Sequence, residues 1–416
     1  MADVIIIGGG VIGLCSAYYL NQKGYHVTVV DKTDMLDGCS YGNAGYVCPS
    51  HFVPLASPGI VRQGLKWMTS SKSPFYVQPS LDMNLIKWGY HFVRSCTKEH
   101  VVSSAIPLRD IAFLSMKLYE ELNRQEGFNF YFEKKGMLEF FKTEKTRLHE
   151  EEMVSKAKSL GIDAKLLDKK EAAEMEPGIE VDILGGIYYS CDGHLNPNEL
   201  MHCLISFLKK NNVRFVSNEE VTNFITDGKT LKGVKTGASE YTADHFVLAS
   251  GSWSGELAGK LDLKIPLVGG RGYSITLEDS GFEINHPIIL TESKVALTPL
   301  GKNKIRIGGT MEITSTSTPP KIGRVKAILE SVKKYIPAFD IPLPPIDKIW
   351  YGYRPCSADG LPYIGRFRKY ENLVIASGHS MVGLSLGAAT GKLVSETVHK
   401  EPVSINIDPF SPERFS

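Results

Sequence analysis

The sequence has no excess of either charge. Its 416 residues carry 47 basic and 46 acidic side chains, a formal net charge of +1, and there is no long basic run. A chain so balanced lacks the electrostatic footprint of a nucleic-acid binder. It also lacks any hydrophobic run near the ~18–20 residues that cross a bilayer, which excludes a membrane-spanning helix. The apolar opening VIIIGGGVIGL follows Asp3 rather than a basic region and shows no clear small-residue cleavage site, so it does not read as a signal peptide. The seven cysteines form no CxxC pair, and their odd number leaves one thiol over in any disulfide scheme. That usage points to a reducing, cytoplasmic setting. With 43% hydrophobic and 22% charged residues the chain is a folded globular protein rather than a disordered one. Its length suggests two or three domains.

What is present begins at once. Residues 3–7 (DVIII) form a continuous apolar run, as in a strand buried on both faces. Residues 11–23 read as a helix, and Gly24 stands where it should stop. A second strand, HVTVVD, ends at Asp31. Gly8, Gly10 and Gly13 make G-x-G-x-x-G at the first strand-to-helix turn. The first permits the turn, the second lets a pyrophosphate approach the backbone, and the third lets helix and strand pack closely. Val11 and Ile12 open a helix whose N-terminus offers N–H groups and partial positive charge to phosphates. Asp31, with Lys32 beside it, is placed to accept ribose hydroxyls and would repel a 2′-phosphate. A ligand-free glycine turn needs none of these flanking elements, so a dinucleotide is the better reading. The motif alone does not separate NAD from FAD.

Two later segments favour FAD. VLASGSWS at 247–254 carries Ser250, Gly251 and Trp253 in a strand-to-small-residue turn, a second close approach of backbone to cofactor. NLVIASGHSMVGLSLGAATGKL at 372–393 sends another strand into another small-residue loop and helix, whose N-terminus can face the flavin pyrimidine edge. After the opening βαβ unit, a Gly/Ser/Pro-rich stretch (38–58) leads into helical pieces up to about residue 125. Strands are expected near 128–142, 183–190 and 270–277, and a helix over 197–211. The proline-dense stretch 336–348 reads as a crossing between domains. The expected architecture is α/β, with a Rossmann-like FAD-binding domain built discontinuously from 1–95, 191–260 and 346–416. A mixed-sheet substrate domain takes 96–190 and 261–345.

These strings resemble the glycine oxidase/D-amino-acid oxidase superfamily of FAD-dependent oxidoreductases. The resemblance rests on the opening βαβ, CSYGNAGYVCPSHFVPLASPG, VLASGSWS, YGYRPCSADGLPYIGR and GHSMVGLSLGAATG. The NAG…PLASPG loop is similar to the small subunit of D-amino-acid dehydrogenases and their D-hydroxyproline-oxidising relatives. The resemblance implies non-covalent FAD. It sets Ser40, Asn43, Ala44, Gly45 and Tyr46 beside the isoalloxazine, and Val221 at the adenine. Gly378, His379, Met381, Val382, Gly383 and Leu384 would hold the pyrimidine end. Arg354 matches the arginine that takes the substrate carboxylate, and a planar guanidinium suits bidentate capture. Tyr273, Tyr353 and His51 are further candidates, set against ordinary roles as half-buried aromatics and a loop histidine. Sarcosine oxidases link flavin to a cysteine whose place falls near Gly352, so Cys356 is offset. Glycine oxidases have a second arginine where this chain has Met381, which implies a more apolar pocket.

The implied reaction anchors an amino or imino acid on Arg354 and moves hydride from its α-carbon to flavin N5, leaving an imine. Rival readings are an oxygen-using glycine or sarcosine-type oxidase and a non-catalytic FAD-binding redox subunit. The electron acceptor is a quinone, a carrier or oxygen. Trp67, Met68, Phe75, Trp88 and Phe92 stand among Lys66, Lys72, Lys87 and Arg94, which suggests at most a peripheral membrane contact. Leu81, Leu85, Trp88 and Phe92 form a stripe suited to burial on the core instead.

Overall fold

The computed structural model describes residues 2–68 and 73–416; Lys72 lies outside them. Strand β1 (Asp3–Ile7), helix α1 (Val11–Gln22) and strand β2 (His26–Val30) form the opening unit. Val4–Ile7 are buried, as an apolar strand in the middle of a parallel sheet must be. Helix α1 ends before Gly24, whose positive φ of 84° turns the chain back toward β2. That sheet has six strands in the order Tyr363–Phe367, Tyr370–Ser377, His245–Leu248, β1, β2, Arg214–Val216. All its pairs are parallel except the outermost one, Tyr363–Phe367 with Tyr370–Ser377. Its strands come from the beginning, middle and end of the chain.

A second sheet of nine strands is mixed. Its long members are Leu267–Leu277, Ile305–Ile313 and Ile349–Ser357, with Leu267–Leu277 pairing antiparallel to both others. Helix Ile322–Tyr335 buries Val325, Ile328 and Val332 against it. A three-stranded antiparallel sheet (residues 221–242) and the short pair Tyr46–Val47 with Gly193–His194 complete the strands described.

Several expectations shift. The proline-dense stretch 336–348 does not cross between sheets, because the helix before it and the strand Ile349–Ser357 after it both belong to the nine-stranded side. The chain changes sheet after Ser357 instead, where Asp359 and Gly360 turn it toward Tyr363. Helix α4 (Lys98–Asn123), grouped by sequence with 96–190, packs on α1 and the helix Gly387–His399. Conversely Phe75–Val77 joins the nine-stranded sheet. Within 128–142 only Met137–Phe141 is strand. Tyr131 (φ 47°) and Gly136 (φ 90°) break the extended run.

Helix α2 (Ile60–Met68) and helix α3 (Met83–Ser95) cover one side of the molecule. On α3, Leu85, Trp88 and Phe92 pack inward as expected. Leu81 does not: it precedes the helix and is 93% exposed. A second apolar face, Met83, Ile86, Tyr90 and Val93, is exposed to solvent.

The sheet-to-helix junction is tight enough to test. A Cβ on Gly13 would stand 1.9 Å from the Gly8 carbonyl oxygen, a backbone atom that cannot swing aside. Gly13→Ala is therefore expected to cost about 1–3 kcal/mol of stability, the scale of overpacking. It should also strip the cofactor. An unchanged melting temperature would contradict this packing.

Candidate functional site

A large cavity of about 1770 Å³ runs from the glycine loop to the nine-stranded sheet. Of the residues expected from sequence, Gly8, Gly10, Val11, Ile12, Asp31, Lys32, Ser40, Asn43, Ala44, Tyr46, Val221, Ser250, Gly251, Trp253, His379, Met381, Val382, Gly383 and Leu384 line it. Arg354, Tyr273, Tyr353 and His51 do too. Gly13, Gly45 and Gly378 do not; each serves packing. A Cβ on Gly45 (φ 89°) would strike the Leu195 carbonyl at 2.3 Å, and one on Gly378 (φ 78°) the Tyr363 ring at 2.6 Å.

The first wall is cut for a dinucleotide. Gly8 (φ 113°) lies so close to Ala249 that a Cβ would be 2.4 Å from that carbonyl, joining the glycine loop to VLASGSWS. The Val11 N–H donates to Ser40 Oγ (2.9 Å), which fastens the 38–46 loop to the start of α1. Asp31 braces the glycine loop: its carboxylate accepts the Gly9 N–H (2.7 Å) and, beside it, the Thr33 N–H (2.8 Å). The Lys32 ammonium sits 3.4 Å above the Trp253 ring, a cation–π contact that sequence did not signal. At the far end His379 is buried, with Nε2 against Thr390 Oγ1 (3.0 Å) and Nδ1 without a partner among the described residues. Burial drives its pKa down to about 3, so the ring stays neutral. A cradle that only glycine leaves open, a helix N-terminus at its floor and an orphaned ring nitrogen at its end fit FAD.

The second wall carries Arg354, on strand Ile349–Ser357. It faces Gly270 and leans over Gly272 on the neighbouring strand; a Cβ there would be 2.1 Å from its guanidinium. Nη1 donates to the Thr310 carbonyl (2.6 Å). Among the described residues no carboxylate lies within ion-pair distance, and burial depresses its pKa. Arg354 is the one arginine of the described residues that lines the cavity. Trp350, which sequence did not single out, fills the space over Gly42 and Gly352 and donates to the Asp37 carbonyl (3.2 Å), tying this strand to the 37–46 loop.

Tyr273 lines the cavity with its ring only. Its hydroxyl donates to Glu312 (2.7 Å), which also holds Arg271 (2.9 Å) and Arg324 (3.3 Å). Tyr353 sends its hydroxyl outward to the Thr316 carbonyl (3.0 Å). Cys356 packs with Trp88, Met311 and Ile313 and does not itself line the cavity. Met381, in place of the arginine of glycine oxidases, is half exposed at the rim.

The comparisons with known proteins now bear on this geometry. Residues 3–397 match the family described as FAD dependent oxidoreductase (DAO). The chain belongs to that family. It is 31% identical to a D-amino acid dehydrogenase of Granulibacter bethesdensis over 97% of each chain, and 29% identical to one of Helicobacter pylori over 94% of each. Among solved structures it is similar to a glycine oxidase from Geobacillus kaustophilus (TM-score 0.79, 22% identity, 100% of this chain and 99% of that one). An L-proline dehydrogenase from P.horikoshii is also similar (TM-score 0.76, 20% identity, 100% and 97%). This flavoenzyme is an FAD-dependent oxidoreductase with a mixed α/β fold.

An acidic arm of the cavity gives a pH test. Glu150, on helix α5 (Glu144–Ser159), is 4% exposed; burial pushes its carboxyl up to about 7, Glu139 adding and Lys294 opposing. An acid whose pKa is higher folded than unfolded costs nothing while both forms are protonated. The penalty grows as pH rises from the ordinary carboxylate range to about 7 and is constant above. Glu150→Gln should therefore stabilise the protein by about 1–3 kcal/mol at pH 8 and by much less at pH 5. Thermal melts that shift equally at both pH values would contradict it.

Proposed function

We propose that this flavoenzyme oxidises the CH–NH bond of a D-amino acid or cyclic imino acid, of the D-proline or D-hydroxyproline kind, with its carboxylate held by Arg354. One observation carries the reading. A guanidinium kept in the wall of a cofactor cavity with no acid beside it is a site for an anion supplied from outside, and a planar carboxylate fits its fork. The names of the two curated relatives support an amino acid of D configuration. FAD, held without a covalent bond by the glycine-loop wall, supplies hydride acceptance when bound. The protein's part is orientation and exclusion of water. Thr310 and Gly272 fix Arg354, so the α-carbon of a bound substrate is aimed along the cavity. His379 is too weak a base to take the amine proton, and the reaction needs none once the amine is neutral, because its lone pair drives imine formation. Water then hydrolyses a released imine to keto acid and ammonia, whereas a ring substrate leaves as a cyclic imine. Met381 and the apolar rim leave room for such a ring. In this reading the six-stranded sheet is the FAD-binding unit and the nine-stranded sheet the substrate unit. The protein works in amino-acid catabolism on the cytoplasmic side.

Electrons are proposed to go to a membrane quinone or carrier. Trp67, Phe75, Trp88 and Phe92 line the outer cavity, and the exposed Met83, Ile86, Tyr90 and Val93 face continues from them. With Lys87 and Arg94 on the same helix, this surface is suited to an anionic bilayer face. No helix of the described residues is long and apolar enough to cross a membrane, so the contact would be peripheral. Oxygen is the alternative acceptor.

Arg354→Lys keeps the charge but loses the fork. It should lower kcat/KM by roughly one to two decades while flavin content stays intact, since a charge-assisted hydrogen bond is worth about 1.5–3 kcal/mol. Unchanged kcat/KM across a D-amino- and imino-acid panel would sink the assignment. Turnover should rise on adding a quinone analogue to air-saturated enzyme. Rapid, stoichiometric hydrogen peroxide with no gain from quinone would show an oxidase instead.

A further inference from the structure

At one edge of the cavity, two segments far apart in sequence bring together side chains that the proposed oxidation does not use. Cys48 and His51 come from the loop after Tyr46–Val47. Asp192 comes from the turn before Gly193–His194, the strand that pairs with Tyr46–Val47. One donor atom from each of Cys48, His51 and Asp192 lies within 4.8 Å of the others. Cys48 and Asp192 are 2% and 0% exposed, and His51 lines the cavity. Two further sulfurs stand by: Cys191 Sγ is 3.4 Å from Asp192 Oδ1, and Met137 Sδ is 3.6 Å from Cys48 Sγ.

We propose that Cys48, His51 and Asp192 form a binding site for a borderline-soft divalent cation of the zinc class. Thiolate, imidazole and carboxylate are the donors such ions take in tetrahedral sites, and sulfur so close by disfavours the hard oxygen-seeking cations. The fourth position falls to water from the cavity. Binding releases the Cys48 proton to solvent, takes a lone pair from the neutral His51 ring, and uses a carboxylate lone pair of Asp192 not engaged by Ser50. Ser50 gives Asp192 both its N–H (3.0 Å) and its hydroxyl, which orients the carboxylate as supporting hydrogen bonds do around metal ligands. A divalent charge favours the thiolate, the carboxylate and the neutral imidazole, the forms that ligate it. The bound ion would clip the 48–51 loop to the 191–192 turn and fix one edge of the cavity.

The test uses holoenzyme freed of any affinity tag and stripped with chelator. Equilibrium dialysis against zinc should give one ion per chain, lost in Cys48→Ser and in Asp192→Asn but kept in Cys203→Ser. Zinc should raise the melting temperature of the wild type and leave that of Cys48→Ser unmoved. Cobalt(II) added to the unaltered protein should show thiolate-to-metal charge transfer and ligand-field bands beyond the flavin absorption, a readout that needs no variant. Absence of zinc uptake, uptake that persists in Cys48→Ser, or a cobalt spectrum without thiolate charge transfer would each overturn the site.

Discussion

The arrangement turns on a guanidinium held without a counter-ion. Taking Arg354 out of water is costly, and the protein offsets that with one carbonyl from Thr310 and no acid. The strand that carries it must therefore be held by other means. Its partner strand supplies glycine at 272, which makes room for the side chain, and Trp350 and Ser252 anchor the strand's edges to the loops of the other sheet. By contrast Arg271, one strand away, is paired with Glu312 and closed off by Tyr273. Two arginines so close in the fold, one buried and neutralised and one half-buried and left open, separate a structural charge from a binding one.

The opposite wall obeys a different constraint, that of backbone against backbone. Gly8 on Ala249 and Gly13 on Gly8 leave no volume for side chains, so the floor of the cavity is made of peptide groups and the start of α1. Ser40 and Asp31 then lock the loops that close over it. FAD dependence, established by family membership, has its physical basis in that floor.

Much of the fold was legible in the chain because it depends on local chemistry. The βαβ opening and the small-residue loops after 247 and 372 follow from strand composition and glycine spacing, whereas Arg354 was singled out only through the family resemblance of YRPCSADG. What was not legible depends on tertiary pairing. Nothing in IPAFDIPLPPIDK says that both its neighbours stay with one sheet. Tyr131 and Gly136 broke an expected strand through single backbone angles. Tyr273 looked like a substrate-facing aromatic because Glu312, 39 residues on, cannot be seen as its hydroxyl's partner from sequence. Trp350 and the meeting of Cys48 with Asp192 leave no signal at all in spacing. The exposed second face of α3 was hidden behind a stripe that accounted for only one side of the helix.

On the proposed function, the cavity selects its substrate through a carboxylate on Arg354. Anaerobic mixing of the purified flavoenzyme with matched pairs, a D-amino or D-imino acid and the same amine lacking its carboxylate, tests it through the flavin absorbance alone. The account predicts rapid bleaching by the acids and little by the decarboxylated amines. Equal bleaching by both members of each pair would contradict it.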